Sequence, residues 1–365
     1  MEKKHMLILI VTLSSFFLLL FLVFIVFLIC VCRRKEYERD EEGKGECKEG
    51  GVEEIEMKGD LIRFEGGEDL TCFDILDAPG EVIGKSSYGT LYRANLLNDS
   101  VLLLRFLRPA ACTGKVQDVM HVVQLLGSIR HPNLVPLCGF YSGPRGEKLL
   151  VHPFYRRGSL AQFIRDENGE SHKWEVIYKI SMGIARGLDY LHTGLQKPII
   201  HGNLKSKNVL LGRNQHPFIS DFGLHLLLNP AAVQEMLEDA AVEGYTTPEL
   251  SKTKDVSKES DIYNLGVILL ELVTGREPVS GKANPDQDFD LPTSMRNAIL
   301  DHRMSDLYHP DVVMSEDDNA GLSPVNEGVI LEFVQLALAC CSPSPSLRPD
   351  IKQICKKLEE IGQKS

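Results

Sequence analysis

Four short motifs follow one another in the second half of the chain, and their order and spacing constrain the fold more than any other feature of the sequence. The first motif is HGNLKSKNVLL, which begins at residue 201, and the second is SDFGL, which begins at residue 220. GYTTPE at 244–249 and SDIY at 260–263 complete the set. A single Asp-Phe-Gly would be weak evidence, whereas four motifs at these spacings are highly specific. They therefore predict one particular fold for the surrounding residues.

Around these motifs the hydrophobic pattern changes from strand-like to helix-like. Short apolar runs separated by turn residues fill 73–152, and longer segments with helical spacing fill 158–361. The pattern predicts strands at 81–84, 91–94, 101–107, 134–141 and 148–153, and helices at 116–129, 159–166, 174–193, 260–275, 326–341 and 349–360. We expect a small β-rich lobe followed by a larger helical lobe.

In these motifs the sequence resembles the plant receptor-like protein kinases, especially the leucine-rich-repeat subset that carries His-Gly-Asn in its catalytic loop. The resemblance covers about 72–361, which is nearly all of the expected folded part. It implies an α+β, bilobal protein-kinase fold within 71–361. The small N-lobe is expected at about 71–153 and the larger C-lobe at about 154–361. The resemblance also implies which positions would handle ATP, magnesium and the transferred phosphoryl group.

The glycine-rich turn that would hold the nucleotide phosphates is only partly conserved relative to the family pattern. Gly84 and Gly89 match that pattern, but Ser86 stands at the middle glycine, where a Cβ restricts the backbone. Leu91 replaces the valine that covers adenine, and Leu103 replaces an alanine. We expect the Leu103 side chain to project into the adenine site. An ordinary hairpin turn beside an apolar plug is therefore the simpler interpretation of this region.

The charged groups of the expected ATP site are also altered. Arg105 stands at the lysine position, and its planar guanidinium does not replace a compact ammonium group without movement. The glutamate that pairs with that lysine corresponds to Val122, so the sequence predicts no obvious partner for Arg105. His152, Asn208 and Asp221 complete the degenerate pocket. Asn208 and Asp221 match the two metal-ligand positions, and they would hold Mg²⁺ only together with a nucleotide. We therefore expect no cofactor, with Mg·ATP as the alternative.

The catalytic base of the family is missing. Asn203 stands at the catalytic aspartate position, and an amide cannot accept the proton of a substrate hydroxyl. Gly202 replaces the arginine that in the family binds a phosphate on the activation segment. Residues 224–243 contain no Ser, Thr or Tyr. Asn229 and Pro230 are expected to start a constitutive helix there. Its packing face would contain Val233, Met236, Leu237, Ala240 and Ala241.

Positions that hold the fold together match the family pattern. The resemblance implies that Asp261 holds the catalytic loop and that Glu249 and Arg348 form a buried ion pair. An apolar stack that links the two lobes is expected to contain Leu126, Leu137, Phe222 and His201. The residues that assemble the fold are thus present, whereas most of those that handle phosphate are not.

A long apolar run near the start of the chain predicts a membrane span. Residues 6–32 contain no charged side chain and are long enough to cross a bilayer as a helix. A cleaved signal peptide is the alternative, but its apolar region would be shorter. The basic residues that follow the run favour a kinase-like domain in the cytoplasm, and we expect the membrane to be the plasma membrane. Only residues 1–5 precede the run, so we expect no ectodomain. Palmitoylation of Cys30 or Cys32 stays open.

The charge distribution separates a linker from the folded part. Within the predicted linker, 33–70, residues 36–60 contain eleven acids and four bases, which predicts a flexible, self-repelling segment. The net charge of −11 argues against a nucleic-acid partner. Residues 276–325 are polar and rich in proline, so we expect a solvated insert, with a docking surface as the alternative.

Three functions remain open from the sequence. The first is a pseudokinase tethered to the lipid bilayer, which presents a fixed surface to other kinases or signalling proteins. The second is a weak Ser/Thr protein kinase, and the third is an ATP-binding switch without catalysis. The first is favoured because six positions change at once. These are Ser86, Leu103, Arg105, Val122, Gly202 and Asn203.

Overall fold

The computed structural model describes residues 59–96, 100–114, 116–166, 169–250, 255–279, 290–313 and 326–364. The predictions about the span at 6–32, its flank, Cys30, Cys32 and most of the linker lie outside these ranges. Within the described ranges, no helix has both the length and the hydropathy needed to cross a bilayer.

The small lobe is built on a six-stranded antiparallel sheet with the strand order β1-β5-β6-β4-β3-β2. The strands are β1 (Asp60–Arg63), β2 (Gly80–Ser86), β3 (Gly89–Asn95), β4 (Val101–Leu107), β5 (Gly139–Ser142) and β6 (Lys148–Pro153). Residues of β4 alternate between the two faces of the sheet. Leu102 and Leu104 pack in an outer apolar cluster with Tyr141 and Val151, while Leu103 and Arg105 point to the opposite face.

Two strand predictions differ from the structure. β1 lies inside the range 33–70 that the sequence assigns to the linker, and it pairs along its length with β5. The predicted strand at 134–141 is ordered as a strand only from Gly139. Pro136 explains the second difference, because proline has no backbone N–H to donate to a neighbouring strand.

In the described residues of the small lobe the α-helices are α1 (Cys72–Leu76) and α2 (Val116–Ser128). Thr71 and Asp74 form a reciprocal capping box that fixes the start of α1. In α2, Val119, Val122 and Val123 are buried against the sheet.

The large lobe is helical and contains α3 (Leu160–Ile164), α4 (Trp174–Thr193), α5 (Pro230–Val242), α6 (Lys258–Thr274), α7 (Leu291–Leu300), α8 (Glu327–Cys340) and α9 (Ile351–Gly362). A short hairpin, β7 (Val209–Leu211) and β8 (Pro217–Ile219), lies among them. In α4 an apolar stripe recurs every three or four residues and is fully buried: Ile177, Ile180, Ile184, Leu188 and Leu191. The α+β, two-lobed arrangement expected from the sequence is therefore confirmed.

Helix α6 passes through the centre of the large lobe. All of its residues from Ser260 to Thr274 are buried. Ser257 caps its first turn, and Gly275 ends it in the left-handed conformation with φ 67°. Because buried apolar side chains surround this helix, it forms a rigid support for the loops that pack on it.

The solvated insert expected at 276–325 is wrong for 291–298, whereas most of 300–306 is exposed as expected. Helix α7 buries Leu291, Met295 and Ala298 against the large lobe. Pro292, one of the prolines of this range, lies in the first turn of α7, where its missing N–H costs no helical hydrogen bond.

Candidate active site

The turn between β2 and β3 is closed by its own polar groups. The Ser86 hydroxyl donates to the carbonyl oxygen of Gly89 at 3.2 Å, and Arg108 donates to the Ser86 carbonyl at 3.1 Å. Gly89 is required at its position, because a Cβ there would lie 2.4 Å from the carbonyl oxygen of Phe106. Ser86 thus makes a side-chain hydrogen bond that the glycine of the family pattern could not make.

Tyr88, from the tip of the same turn, is buried inside the domain. It belongs to the apolar cluster that contains Val119 and Val122 of α2. Its hydroxyl interacts electrostatically with the Arg105 guanidinium. Burial raises the pKa of the Tyr88 hydroxyl, so this group is neutral at ordinary pH. No motif in the sequence indicates a role for Tyr88.

Arg105 forms a buried ion pair with Asp221. The Nη2 group of Arg105 donates to Oδ2 of Asp221 at 2.6 Å, and the two side chains are 10% and 6% exposed. The expectation that Arg105 has no obvious partner is therefore wrong. Burial is the largest single influence and lowers the pKa of Arg105, but the Asp221 carboxylate and Tyr88 together outweigh it, so the pKa is raised. Arg105 is thus a permanent cation, whereas Val122 is buried in the apolar cluster that contains Tyr88.

The ion pair joins two groups that the sequence assigns to different tasks. In the family pattern the cation at position 105 holds phosphate and the carboxylate at position 221 holds metal. Here the two charges neutralise each other directly through a charge-assisted hydrogen bond. Asp221 adopts the left-handed conformation with φ 63°, which aspartate tolerates better than most residues.

The catalytic loop is held by Asp261, as the resemblance implies. Its carboxylate accepts hydrogen bonds from the backbone N–H groups of His201 at 2.7 Å and Gly202 at 2.9 Å. His192 contacts the same carboxylate through Nε2 at 2.9 Å. These three buried contacts fix the path of the backbone into Asn203.

Gly202 has a conformational reason to be glycine. Its φ is 78°, a value that L side chains rarely adopt. A Cβ there would lie 2.6 Å from Nδ1 of His225, so the ring of His225 fills the space beside it. Burial lowers the pKa of His225, which keeps the ring neutral. The site therefore offers no cation for a phosphate on the activation segment at this position.

Asn203 is buried, and its side-chain oxygen accepts no hydrogen bond in the described residues. Asn208 donates from its amide to the Asn203 carbonyl oxygen at 2.9 Å, and the Asn208 carbonyl accepts from Ser220. Asn208 thus serves as a local support of the loop. Both asparagines line the same cavity as Asp221. Among the described residues, no three His, Cys, Asp or Glu side chains are close enough to form a metal site.

On the adenine side, the positions singled out from the sequence line up across neighbouring strands. Leu91 of β3 pairs with Arg105 of β4, and Leu103 of β4 pairs with His152 of β6. Leu103 is buried, but it is not among the residues that line the cavity between the lobes, so its role as a plug of the adenine site stays a prediction. His152 is bonded through Nδ1 to the carbonyl oxygen of Pro136 at 2.9 Å, and burial lowers its pKa.

A cavity of about 600 Å³ lies between the lobes. Of the predicted site residues, it is lined by Gly84, Ser86, Gly89, Leu91, Arg105, Asn203, Asn208 and Asp221. Helix α5 contributes Met236, Asp239 and Val242 to the opposite wall. The structure thus brings the turn, the ion pair and the catalytic loop together around one space, and it adds α5, for which the sequence predicted only packing.

Helix α5 itself was predicted correctly. It begins at Pro230 after the cap Asn229, whose side chain accepts from the N–H of Ala232 at 2.9 Å. Its most deeply buried residues are Ala232, Met236 and Ala240, so the packing face is rotated slightly from the predicted one.

The residues expected to assemble the fold are buried or form an ion pair. Leu126, Leu137, Phe222 and His201 are all buried. Arg348 donates two hydrogen bonds to the carboxylate of Glu249, from Nη1 at 2.6 Å and from Nη2 at 2.7 Å.

Beneath the catalytic loop lies a buried carboxyl group that the sequence analysis missed. Glu271 of α6 accepts from the Ser206 hydroxyl at 3.2 Å and from the Tyr245 hydroxyl. Burial raises the pKa of Glu271 to about 7. An acid within the otherwise apolar α6 pattern was the only available signal.

Comparison with known proteins agrees with this architecture. Residues 78–358 match the family described as protein tyrosine and serine/threonine kinase. TMKL1, a kinase-like protein of Arabidopsis thaliana, is 38% identical over 325 residues, which cover 88% of this chain and 46% of that protein. Four other Arabidopsis thaliana relatives, 29–34% identical, bear the name "probable inactive receptor kinase". The chain spans 29–54% of the length of its curated relatives.

Two solved structures are similar to this one. The kinase domain of the maize sucrose-induced receptor kinase SIRK1, bound to AMP-PNP, aligns with a TM-score of 0.72 and 32% identity, and covers 83% of this chain and all of that one. The pseudokinase domain of BIR2, an immune regulator of the RLK/Pelle family, aligns with a TM-score of 0.64 and 30% identity, over 78% of this chain and 81% of that one.

Proposed function

The chain belongs to the protein tyrosine and serine/threonine kinase family, with a kinase domain of the plant receptor-like kind, and from this premise we propose that it acts as a pseudokinase. In this proposal it is a binding module for other kinases or signalling proteins and transfers little or no phosphate. A membrane anchor at 6–32 would hold it at the plasma membrane.

One observation carries the proposal. The Arg105 guanidinium forms an ion pair with the Asp221 carboxylate at 2.6 Å. In an active kinase site these two groups would bind phosphate and metal separately. A ligand that uses both groups must first break a buried ion pair, and breaking such pairs is costly. The residues present therefore do not fit Mg·ATP as they stand.

The loss of the base supports the same conclusion. A positioned general base contributes about 10²–10⁴ to a rate. The amide at Asn203 cannot supply this contribution. The neutral His225 beside Gly202 likewise offers no charge with which a phosphorylated activation segment could pair.

A second candidate is an ATP-binding switch without catalysis. The observation that favours it is the cavity of about 600 Å³, which falls in the range of ligand pockets. The similar SIRK1 domain is bound to AMP-PNP, which is a fact about that protein. In the switch, nucleotide would have to separate Arg105 from Asp221.

A phosphate-transfer assay tests the proposal. The full chain in detergent micelles is incubated with γ-labelled ATP, Mg²⁺ and a generic protein substrate, beside the matched variant Asp221→Asn. We expect equal background incorporation from both proteins. Incorporation by the wild type that Asp221→Asn abolishes would refute the pseudokinase and establish a weak kinase.

A further inference from the structure

The segment 227–243, which contains α5, is attached to the small lobe at its beginning. The Leu227 carbonyl accepts from both the N–H of Thr113 at 3.1 Å and its hydroxyl at 3.3 Å. The N–H of Asn229 donates to the Ala111 carbonyl at 2.8 Å. Because Ala111 and Thr113 follow strand β4, the start of the segment is fastened to the small lobe.

The far end of the segment contacts both lobes. Glu243 accepts from Lys205 at 3.2 Å and from Lys207 at 3.1 Å, and both lysines belong to the catalytic loop of the large lobe. Asp239 accepts from the hydroxyl of Ser87 at 3.3 Å, and Ser87 lies in the turn of the small lobe. The two acids thus connect the turn above the cavity to the loop below it.

The helix between these attachments covers one wall of the cavity. Ala232, Met236 and Ala240 are spaced by four residues and form a buried stripe. Met236 lines the cavity together with Asn203. The side chain of Glu243 neutralises lysines that would otherwise attract a phosphate or an acidic peptide to this wall.

We propose that segment 227–243, here called the strap, fastens the two lobes to each other and closes the catalytic-loop side of the cleft. This inference deepens the proposed function and rests on it, since a module that transfers no phosphate has no need to admit a substrate there. The strap keeps the separation of the lobes constant, and with it the surface that a partner meets.

Charge-neutral variants test the strap, since they keep the size of each side chain. The double variant Asp239→Asn, Glu243→Gln removes the ion pairs of Glu243 with Lys205 and Lys207 and weakens the hydrogen bond that residue 239 accepts from Ser87. Glu235→Gln is the matched control, because Glu235 is an exposed acid of the same helix. Amide hydrogen exchange of residues 231–242 is followed by mass spectrometry in the full chain in detergent micelles, without nucleotide.

We expect the double variant to exchange about three- to tenfold faster in this segment, as the loss of partly exposed ion pairs implies, and the control to match the wild type. The intrinsic stability of the helix predicts the opposite change in the exchange rate. Acids near a helix C-terminus interact unfavourably with the helix dipole, so neutralising them would slow exchange if α5 stood alone. Unchanged or slower exchange in the double variant, or equal acceleration in the control, would overturn the strap.

The exchange measurement involves no catalysis, so its outcome is separate from that of the labelling assay. Phosphate transfer by the wild type would refute the proposed function even if the strap contacts are real. If the exchange prediction fails, the proposed strap is refuted, and the labelling result is unaffected.

Discussion

Replacing Asp221 by asparagine removes the negative half of the Arg105–Asp221 ion pair and leaves a buried cation behind. Asparagine has nearly the same shape and tolerates the left-handed backbone at this position, where φ is 63°. The variant therefore isolates the charge. Stranding one partner of a buried pair typically costs 3–5 kcal/mol. Because the pair borders a cavity that solvent can enter, we expect a loss of about 2–4 kcal/mol in the free energy of unfolding.

Equilibrium urea unfolding measures this loss. The chain contains a single tryptophan, Trp174, which is buried at the start of α4, so its fluorescence reports the unfolding of the large lobe. Arg105→Met and the double variant complete a mutant cycle. Since the double variant strands no charge, we expect it to be more stable than the sum of the single losses predicts, by at least about 1 kcal/mol. Additive losses, or an Asp221→Asn loss below about 0.5 kcal/mol, would refute the ion pair as the link between the lobes.

Three further predictions concern the large lobe. Glu249→Gln strands the guanidinium of Arg348 and should lower the free energy of unfolding by about 2–4 kcal/mol in the same urea assay, somewhat reduced because Glu249 is 19% exposed. Gly202→Ala should cost about 1–3 kcal/mol, since φ is 78° and the methyl group would press on His225; an unchanged urea midpoint would contradict the geometry. The pKa of Glu271 is raised from 4.5 to about 7, so the folded state binds the extra proton between these values. The contribution of protonated Glu271 to the free energy of unfolding should be fully present below pH 4.5. It should fall as the pH rises to 7, by up to about 1.4 kcal/mol per pH unit, and Glu271→Gln should abolish this part of the pH dependence.

The long helices could be predicted from the sequence because their apolar spacing extends over several turns. Helix α4 was expected at 174–193 and has those bounds, and α5 was identified from its Asn-Pro start. Short elements carry too few residues for a pattern to be visible. β1 has only four residues, two of them charged, and gains its stability by pairing with β5.

The residue types of the site could be predicted, but not their partners. Aligning the motifs assigned Arg105, Asn203 and Asp221 to their positions, and the cavity does bring all three together. The ion pair joins residues 116 apart in sequence, and no local pattern encodes such a contact. Tyr88 was missed for the same reason, since its burial depends on α2 and not on neighbouring turn residues.

A nucleotide titration tests the central claim of a closed, non-binding site most directly. The melting temperature of the full chain in detergent micelles is measured against increasing ATP, with and without Mg²⁺. A ligand present at 100 times its dissociation constant stabilises a protein by about 2.7 kcal/mol, which such a titration detects readily. We expect no shift in the melting temperature at millimolar ATP in either condition. A saturable, Mg²⁺-dependent rise in melting temperature would contradict it, because the Arg105–Asp221 pair would then have given way to a nucleotide.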